Sequence, residues 1–112
     1  MNTANRDAAK LLHGLGAIYL RAGQTQRALG LLLLAVRIQP EDIALLRQLA
    51  LALTASGDGE RAVAALDRLL MLEGDSTGLL LLRSRALLRA GRGDEARQLF
   101  RRYLSLRQGG TQ

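Results

Sequence analysis

The single histidine, His13, is the first candidate for chemistry, because histidine is the commonest acid–base catalyst near neutral pH. The chain of 112 residues offers it no cysteine and no second histidine as a partner. A groove or surface role is therefore expected for His13 rather than catalysis. The lack of cysteine also excludes disulfides and thiolate metal sites.

Two further patterns resemble fragments of active sites. Gly14-Leu15-Gly16 resembles part of a phosphate-binding loop, but it lies inside a helical pattern and no strand precedes it. The acidic pairs Glu41-Asp42 and Asp94-Glu95 stand at expected helix starts, where the helix dipole favours negative charge. With these patterns assigned to structure, the sequence predicts a protein that is not an enzyme, with no catalytic, metal-binding or cofactor-binding residues.

The basic residues are concentrated in the last third of the chain. The net charge is +6, and residues 77–112 carry all of it, with eight arginines against Asp94 and Glu95. Such a region could attract nucleic-acid phosphates, yet its aromatic residues are only Phe100 and Tyr103, and lysine is nearly missing from the whole chain. Of the three interpretations of this arginine-rich region, we rank a solvated surface first, a site for an acidic protein partner second and a nucleic-acid site third.

The composition indicates the elements that must carry these residues. Leucine and alanine dominate, there is one proline, and the aromatic residues are Tyr19, Phe100 and Tyr103, which together predict an all-α protein. The two four-leucine runs, Leu31–Leu34 and Leu79–Leu82, are far too short for a membrane span. The first ten residues lack the pattern of a secretory signal, so a cytoplasmic protein without membrane insertion is expected.

An internal repeat of 34 residues organises the sequence. Within the first repeat, the spacing from Leu12 to Tyr19 is that of one helix face, and Gly23 follows where the helix must end. The pattern predicts six helices, at about 4–22, 25–38, 41–56, 59–73, 76–90 and 93–107. The residues that recur at this spacing are Gly23, Gly57 and Gly91; Ala28, Ala62 and Ala96; Leu32, Leu66 and Phe100; Leu12, Leu46 and Leu80; and Tyr19, Leu53 and Leu87.

These positions resemble the consensus of the tetratricopeptide repeat (TPR), with Leu12 where that family often has tryptophan. The resemblance implies a short right-handed solenoid of three helix-turn-helix repeats, at about 9–42, 43–76 and 77–110, in a single domain of 1–112. In the third repeat, Arg83 and Ser84 replace the usual Leu-Gly pair, which suggests a looser or partner-covered repeat.

The first helix of each repeat lines the concave side of such a solenoid. The predicted strip is apolar with cationic edges and suits an amphipathic or extended peptide with acidic residues. The alternative is that some of these residues only pack on their neighbours. The predicted partner-binding residues on the first helices are His13, Ala17, Leu20, Ala44, Arg47, Leu51, Thr54, Leu81, Arg85 and Leu88.

Phe100 and Tyr103 complete the predicted site, at the end of the third repeat. Too little chain follows them to form the polar capping helix that solenoids usually have. A partner or a second copy could cover them. Alternatively, the aliphatic stems of Arg97, Arg101 and Arg102 could shield that end.

Among TPR proteins, the chain resembles the small chaperones of bacterial type III secretion in its size and number of repeats. The YscY-like chaperone, which binds a small export component, is the nearest, and the YscG-like chaperone of needle subunits comes next. The resemblance implies a cytoplasmic protein that keeps an aggregation-prone client soluble. TPRs that clamp heat-shock chaperone tails use lysine and asparagine, a pattern that is absent here apart from Lys10. Two other functions stay open: a self-associating scaffold, including a homodimer, and an arginine-driven nucleic-acid accessory.

Overall fold

A computed structural model of the chain describes residues 3–109, and its regular structure there is entirely helical. The helices are α1 (Thr3–Arg21), α2 (Thr25–Ile38), α3 (Ile43–Ala55), α4 (Gly59–Glu73), α5 (Thr77–Arg89) and α6 (Gly93–Gly109). The all-α fold and the six predicted helices are confirmed, each boundary lying within about two residues of its expected place, the usual scatter of helix ends.

The same turn closes the first helix of every repeat. Gly23, Gly57 and Gly91 have φ angles of 79°, 89° and 78°, as predicted for glycines that end a helix in the left-handed conformation. In the first repeat the Gln24 N–H donates to the Tyr19 carbonyl at 2.9 Å. The equivalent bonds, Asp58 to Leu53 and Arg92 to Leu87, are also 2.9 Å long, so the 34-residue period extends to hydrogen-bond geometry.

Side-chain caps fix where three helices begin. The carboxylate of Asp42 accepts from the Leu45 N–H at 3.0 Å, and that of Asp58 accepts from the Arg61 N–H at 3.3 Å. Ser76 caps α5, because its hydroxyl accepts from the Leu79 N–H at 3.1 Å. Because Asp42 is the cap, α3 starts two residues later than predicted.

Leucine and alanine form the core between the stacked helix pairs, in a molecule of 46 × 26 × 22 Å. The small Gly16 lets the first pair close up, since a Cβ there would lie 2.8 Å from the Leu32 side chain. The protein itself covers most of both four-leucine runs. Leu32, Leu79 and Leu80 are buried. The half-buried leucines of the two runs are Leu31, Leu33, Leu81 and Leu82. Leu34 is the exception and remains 52% exposed.

Repeats two and three meet backbone to backbone. A Cβ on Gly59, at the start of α4, would lie 2.2 Å from the Ala90 nitrogen at the end of α5. Polar contacts cross the same junction: the Arg89 Nε donates to the Thr54 carbonyl at 3.1 Å, and Arg83 pairs with Asp67 at 4.0 Å. Arg92 pairs with Glu60 across it at 3.6 Å.

The expected looseness of the third repeat is not what the structure shows at the substituted pair. Ser84 is 5% exposed, and its hydroxyl donates to the Leu81 carbonyl at 2.8 Å, so its polar atom is satisfied within its own helix. Arg83 turns outward to Asp67 of the preceding repeat. Both side chains are therefore accommodated with their polar groups partnered.

Candidate partner-binding surface

Two of the predicted residues on α3 line a shallow hollow that α3 shares with α5. Leu51 and Thr54 stand on its walls, and Leu66, which is 1% exposed, is part of its floor. Leu82 of α5 reaches into it and is half-buried there. We call this the middle hollow; its volume is about 180 Å³ and its lining is Ala50, Leu51, Thr54, Ala55, Leu66, Leu82 and Arg85.

A larger hollow lies between α5 and α6. Four predicted residues meet there, and two of them leave much apolar surface in water: Leu88 is 66% exposed and Phe100 is 43% exposed. Large exposed apolar groups that adjoin one another mark interaction surfaces more often than isolated ones do. We call this the C-terminal hollow; its volume is about 320 Å³ and its lining is Leu81, Ser84, Arg85, Leu88, Ala96, Arg97 and Phe100.

The two hollows are the same site in successive repeats. Leu66 and Phe100 are 34 residues apart, as are Thr54 and Leu88, and each pair occupies the same place in its hollow. In the middle hollow a leucine from the following helix fills part of the space. In the C-terminal hollow Leu88 and Phe100 remain exposed, so this hollow is an open copy of a contact that the fold already makes once.

The edges of the C-terminal hollow are basic. Arg85 has no acidic partner among the described residues, whereas Arg97 pairs with Asp94 on its own helix. Arg85 borders both hollows, so its charge lies between them. Acidic residues of the protein neutralise part of the remaining arginine-rich region. Arg83 pairs with Asp67, and Arg102 pairs with Asp75. Arg92 pairs with both Glu60 and Glu95.

Within residues 3–109, the Arg92–Glu95 pair is the one place where ionisation is clearly shifted. Two hydrogen bonds from the Arg92 guanidinium, at 3.0 and 2.8 Å, lower the pKa of Glu95. The stabilisation is present above the unfolded-state pKa of a glutamate and is lost as pH falls through the lower pKa of the folded state. The pair lies in solvent, where such bridges contribute little.

Tyr103 lies beside the C-terminal hollow rather than in it. Its ring stacks on Phe100 with centroids 5.8 Å apart, and the Arg107 guanidinium lies over the Tyr103 ring, 5.8 Å from its centroid. Of the three arginines predicted to shield this end, Arg97 and Arg102 engage acidic residues instead. Phe100 is 43% exposed, while Tyr103 is half-buried.

The remaining predicted residues lie apart from the C-terminal hollow. His13 is half-buried in a polar hollow between α1 and the start of α3, which Lys10 and Asp42 also line. Arg47 extends to Glu73 at the end of α4, with Nη2 2.7 Å from the carboxylate. Ala17 and Leu20 are half-buried along α1, and Ala44 is exposed on α3.

Sequence reasoning missed two residues of α6. Ala96 and Arg97 form one wall of the C-terminal hollow, whereas the predicted site took only Phe100 and Tyr103 from outside the first helices. The available signal was the repeat itself, because Phe100 occupies the position of the buried Leu32 and Leu66. A side chain that packs on Phe100 would also contact the residues one helical turn away, which are Ala96 and Arg97.

The described part of the chain presents neither a metal site nor a membrane span. Within it, no three histidine, cysteine, aspartate or glutamate side chains converge so as to hold a metal ion. None of the helices in residues 3–109 combines the length and the hydropathy that crossing a bilayer requires.

Stacked helix pairs with an open apolar groove define a helical-repeat module of the kind that binds other proteins. The chain belongs to the tetratricopeptide repeat family, whose profiles match residues 53–110 and residues 11–44. The TPR resemblance of the sequence is thereby confirmed. TPRs are in general modules of protein interaction rather than enzymes.

Solved structures with the same fold are numerous, with 40 chains matching. One, "MamA AMB-1", has a TM-score of 0.79 and 22% identity over 93% of this chain. This chain spans only 57% of the length of that one. The second TPR of Spaghetti (RPAP3), bound to an HSP90 peptide, has a TM-score of 0.76 and 20% identity over 94% of this chain and 99% of its own. At such identities the likeness concerns the fold alone. No curated protein sequence matches this chain.

Proposed function

We propose that the protein is a non-catalytic adaptor or chaperone that holds a segment of a small client protein across the middle and C-terminal hollows. The observation that carries this proposal is the open C-terminal hollow, where Leu81, Leu88 and Phe100 leave apolar surface in water. Covering that surface with apolar side chains of a client would remove it from solvent, which is the main driving force of association.

An amphipathic helix is the form of client that this hollow suits best. In the middle hollow the equivalent space receives Leu82, a side chain presented by a helix. A client helix that places a leucine-like side chain against Phe100 would reproduce that contact. Helix-in-groove recognition uses such anchors at intervals of three or four residues.

The charge of the client follows from the basic edges of the hollow. Arg85 has no acidic partner within residues 3–109, and Arg97 has one that is exposed and can be exchanged. Acidic residues beside the apolar anchors of the client would meet these two arginines. Such pairs mainly set orientation and association rate rather than total affinity.

The client class comes from the resemblance to small type III secretion chaperones. By that resemblance, the client is a secretion component, as for a YscY-like chaperone, or a needle-type subunit, as for a YscG-like one, and the complex is cytoplasmic. An exposed hollow for an aggregation-prone segment is what such a role requires. The HSP90 peptide of the RPAP3 structure is a poor guide here, because leucine and alanine occupy much of the groove in this chain.

Affinity purification from the native host, with mass spectrometry and molar-mass determination of the eluted complex, identifies the client. One small protein should co-elute in stoichiometric amount. Recovery of the chain alone, or with nucleic acid, would contradict the proposal. If the protein instead bound nucleic acid, its affinity would fall steeply with rising salt concentration. This alternative is less favoured, because half of the arginines in the last third of the chain pair with acidic residues.

The client then permits a surface test with matched variants. Leu88→Glu places a charge in the C-terminal hollow and should weaken binding at least about tenfold, or roughly 1.4 kcal/mol. Leu51→Glu and Leu81→Glu should do the same at the half-buried parts of the groove. Met71→Glu is the control, because Met71 is 85% exposed on α4 and lines neither hollow. Titration calorimetry gives the affinities, and circular dichroism checks that the helices persist.

A further inference from the structure

The first helix carries an exposed apolar stripe that the proposed function does not use. Leu11 is 65% exposed, Ile18 is 55% and Leu15 is 38%. Alanines continue this row of residues at both ends. Successive members of the whole row are alternately four and three residues apart. We call the α1 stripe the set Ala4, Ala8, Leu11, Leu15, Ile18 and Ala22, the last of these directly after the helix. Alternating steps of four and three residues form the heptad seam with which helices pair in coiled coils.

The α1 stripe is separate from the other two faces of its helix. Ala9 and Gly16 are buried, Gly16 against Leu32 of α2, and His13 and Ala17 lie on the predicted groove side. At about 100° per residue, the stripe centres roughly 130° from Ala9 and Gly16 and roughly 160° from His13 and Ala17. A partner on the stripe therefore leaves the hollows free.

The 34-residue equivalences relate the α1 stripe to buried positions of the other two first helices. Leu11 corresponds to Leu45 and Leu79, which are 0% and 2% exposed where α3 and α5 pack on the preceding repeat. Ile18 corresponds to Ala52, which is fully buried. The stripe is thus the face by which a first helix packs on something outside its own pair.

Two features distinguish this face from an ordinary joint between repeats. Ile18 stands where α3 and α5 have alanine, and its extra bulk does not suit the close stacking made there. Helix α1 has 19 residues where α3 and α5 have 13. The added turns bring Ala4, Asp7 and Ala8, of which the alanines extend the stripe.

Opposite charges flank the stripe in a way that selects the partner. Asp7 and Arg21 lie two heptads apart on the same side of the stripe, both exposed and without an ion-pair partner among the described residues. In an antiparallel pair of α1 helices, Asp7 meets the partner's Arg21, and the reciprocal pair forms by symmetry. In a parallel pair of α1 helices, Asp7 of one copy does not meet Arg21 of the other.

The apolar layers of the same antiparallel register are also complementary in size. Leu11 faces the partner's Leu15, Ile18 faces the partner's Ala8, and Ala22 faces the partner's Ala4. Each bulky Ile18 thus meets a small alanine, and two leucine layers lie next to the dyad. Alternating large and small residues across a helix pair is how such seams fill space.

We propose that the α1 stripe is a self-association surface, through which two copies of this chain form an isologous dimer by antiparallel pairing of α1. A two-fold interface of this kind closes on itself and does not propagate into filaments. It leaves both sets of hollows facing solvent, so the dimer presents two client sites. This inference is independent of which client the hollows bind.

Molar mass by light scattering tests the dimer directly. The purified chain should have twice its mass of 12.1 kDa at high concentration, and Leu11→Glu should reduce this to a single chain while helicity persists. Leu88→Glu, which alters the C-terminal hollow instead, should stay dimeric. A monomer at every concentration would overturn the proposal, as would a dimer that Leu11→Glu leaves intact.

Charge reversal tests the register. Asp7→Arg and Arg21→Asp should each weaken the dimer, because like charges then meet twice, and the double variant should recover it. Failure of the double variant to recover would contradict the antiparallel alignment. Loss of client binding in Leu11→Glu, without any change in mass, would assign the stripe to the client and not to a second copy.

Cross-linking provides a geometric control in a chain without cysteine. Gly14 lies midway between Asp7 and Arg21, so its two copies face each other across the dyad, and a Cβ there meets nothing within 4 Å. Gly14→Cys should cross-link to a dimer with a short bis-maleimide, whereas Met71→Cys should not. Equal cross-linking of both variants would refute the placement.

Discussion

Gly59 shows how a single missing side chain determines the arrangement of two repeats. The nearest atoms to its would-be Cβ are backbone atoms of Arg89 and Ala90, which cannot move aside as a flexible side chain could. Gly59→Ala should therefore force α4 and α5 apart and destabilise the protein by about 1–3 kcal/mol. Urea denaturation followed by circular dichroism measures the change.

A second glycine provides the control for that substitution. Gly30 lies within α2, and a Cβ added there meets nothing within 4 Å. Gly30→Ala should stabilise the chain by about 0.5–1 kcal/mol, because alanine loses less backbone entropy in a helix. If Gly59→Ala were as stabilising as Gly30→Ala, the tight junction would not exist in solution.

These glycines also show which residues a sequence can interpret. Gly23, Gly57 and Gly91 were predictable, because a helix-ending glycine in a periodic pattern has a local cause. The role of Gly59 was not, since it depends on where the end of α5 comes to lie. Local conformation follows from neighbouring residues, whereas close approach requires the packing of the whole stack.

At the scale of elements, the caps make the start of α3 a measurable feature. Asp42→Ala removes the oxygen that accepts from the Leu45 N–H, and should cost about 0.5–2 kcal/mol. Asp42→Asn keeps an acceptor and should retain most of the stability. Thermal unfolding of the three proteins compares them, and an unchanged midpoint for Asp42→Ala would show that the cap is replaced by water.

The helices were predictable as units, but the surfaces between them were not. The period of 34 residues gave the six helices and their order, since each repeat marks its own turn. It did not give the wall of the C-terminal hollow formed by Ala96 and Arg97, or the exposure of Leu11 and Ile18. Exposure at a repeat position depends on whether a neighbouring helix covers it. The leucine at one such position is buried as Leu45 in α3 and exposed as Leu11 in α1.

For the molecule as a whole, stability should decline from the middle repeat towards the ends. In solenoids each repeat is stabilised by its neighbours, and α3 and α4 have neighbours on both sides. Ala96 is the buried residue of α6, whereas α3 buries six residues. Amide hydrogen exchange should therefore be fastest in the last two turns of α6 and slowest in α3 and α4. Uniform protection would indicate that the chain opens only as one unit.

The two stacking joints of the solenoid differ in how closely their backbones approach. Thr25 occupies at the first joint the place that Gly59 holds at the second, so a side chain stands where the second joint has backbone against backbone. Arg83, Arg89 and Arg92 make polar contacts across the second joint, and Arg68 makes them across the first, to the Pro40 carbonyl and to Glu41. Under a bending load the molecule should behave as a rigid plate of two repeats, α3 to α6, with a compliant arm, α1 and α2. Both hollows lie on the plate, so bending of the arm leaves their shape unchanged.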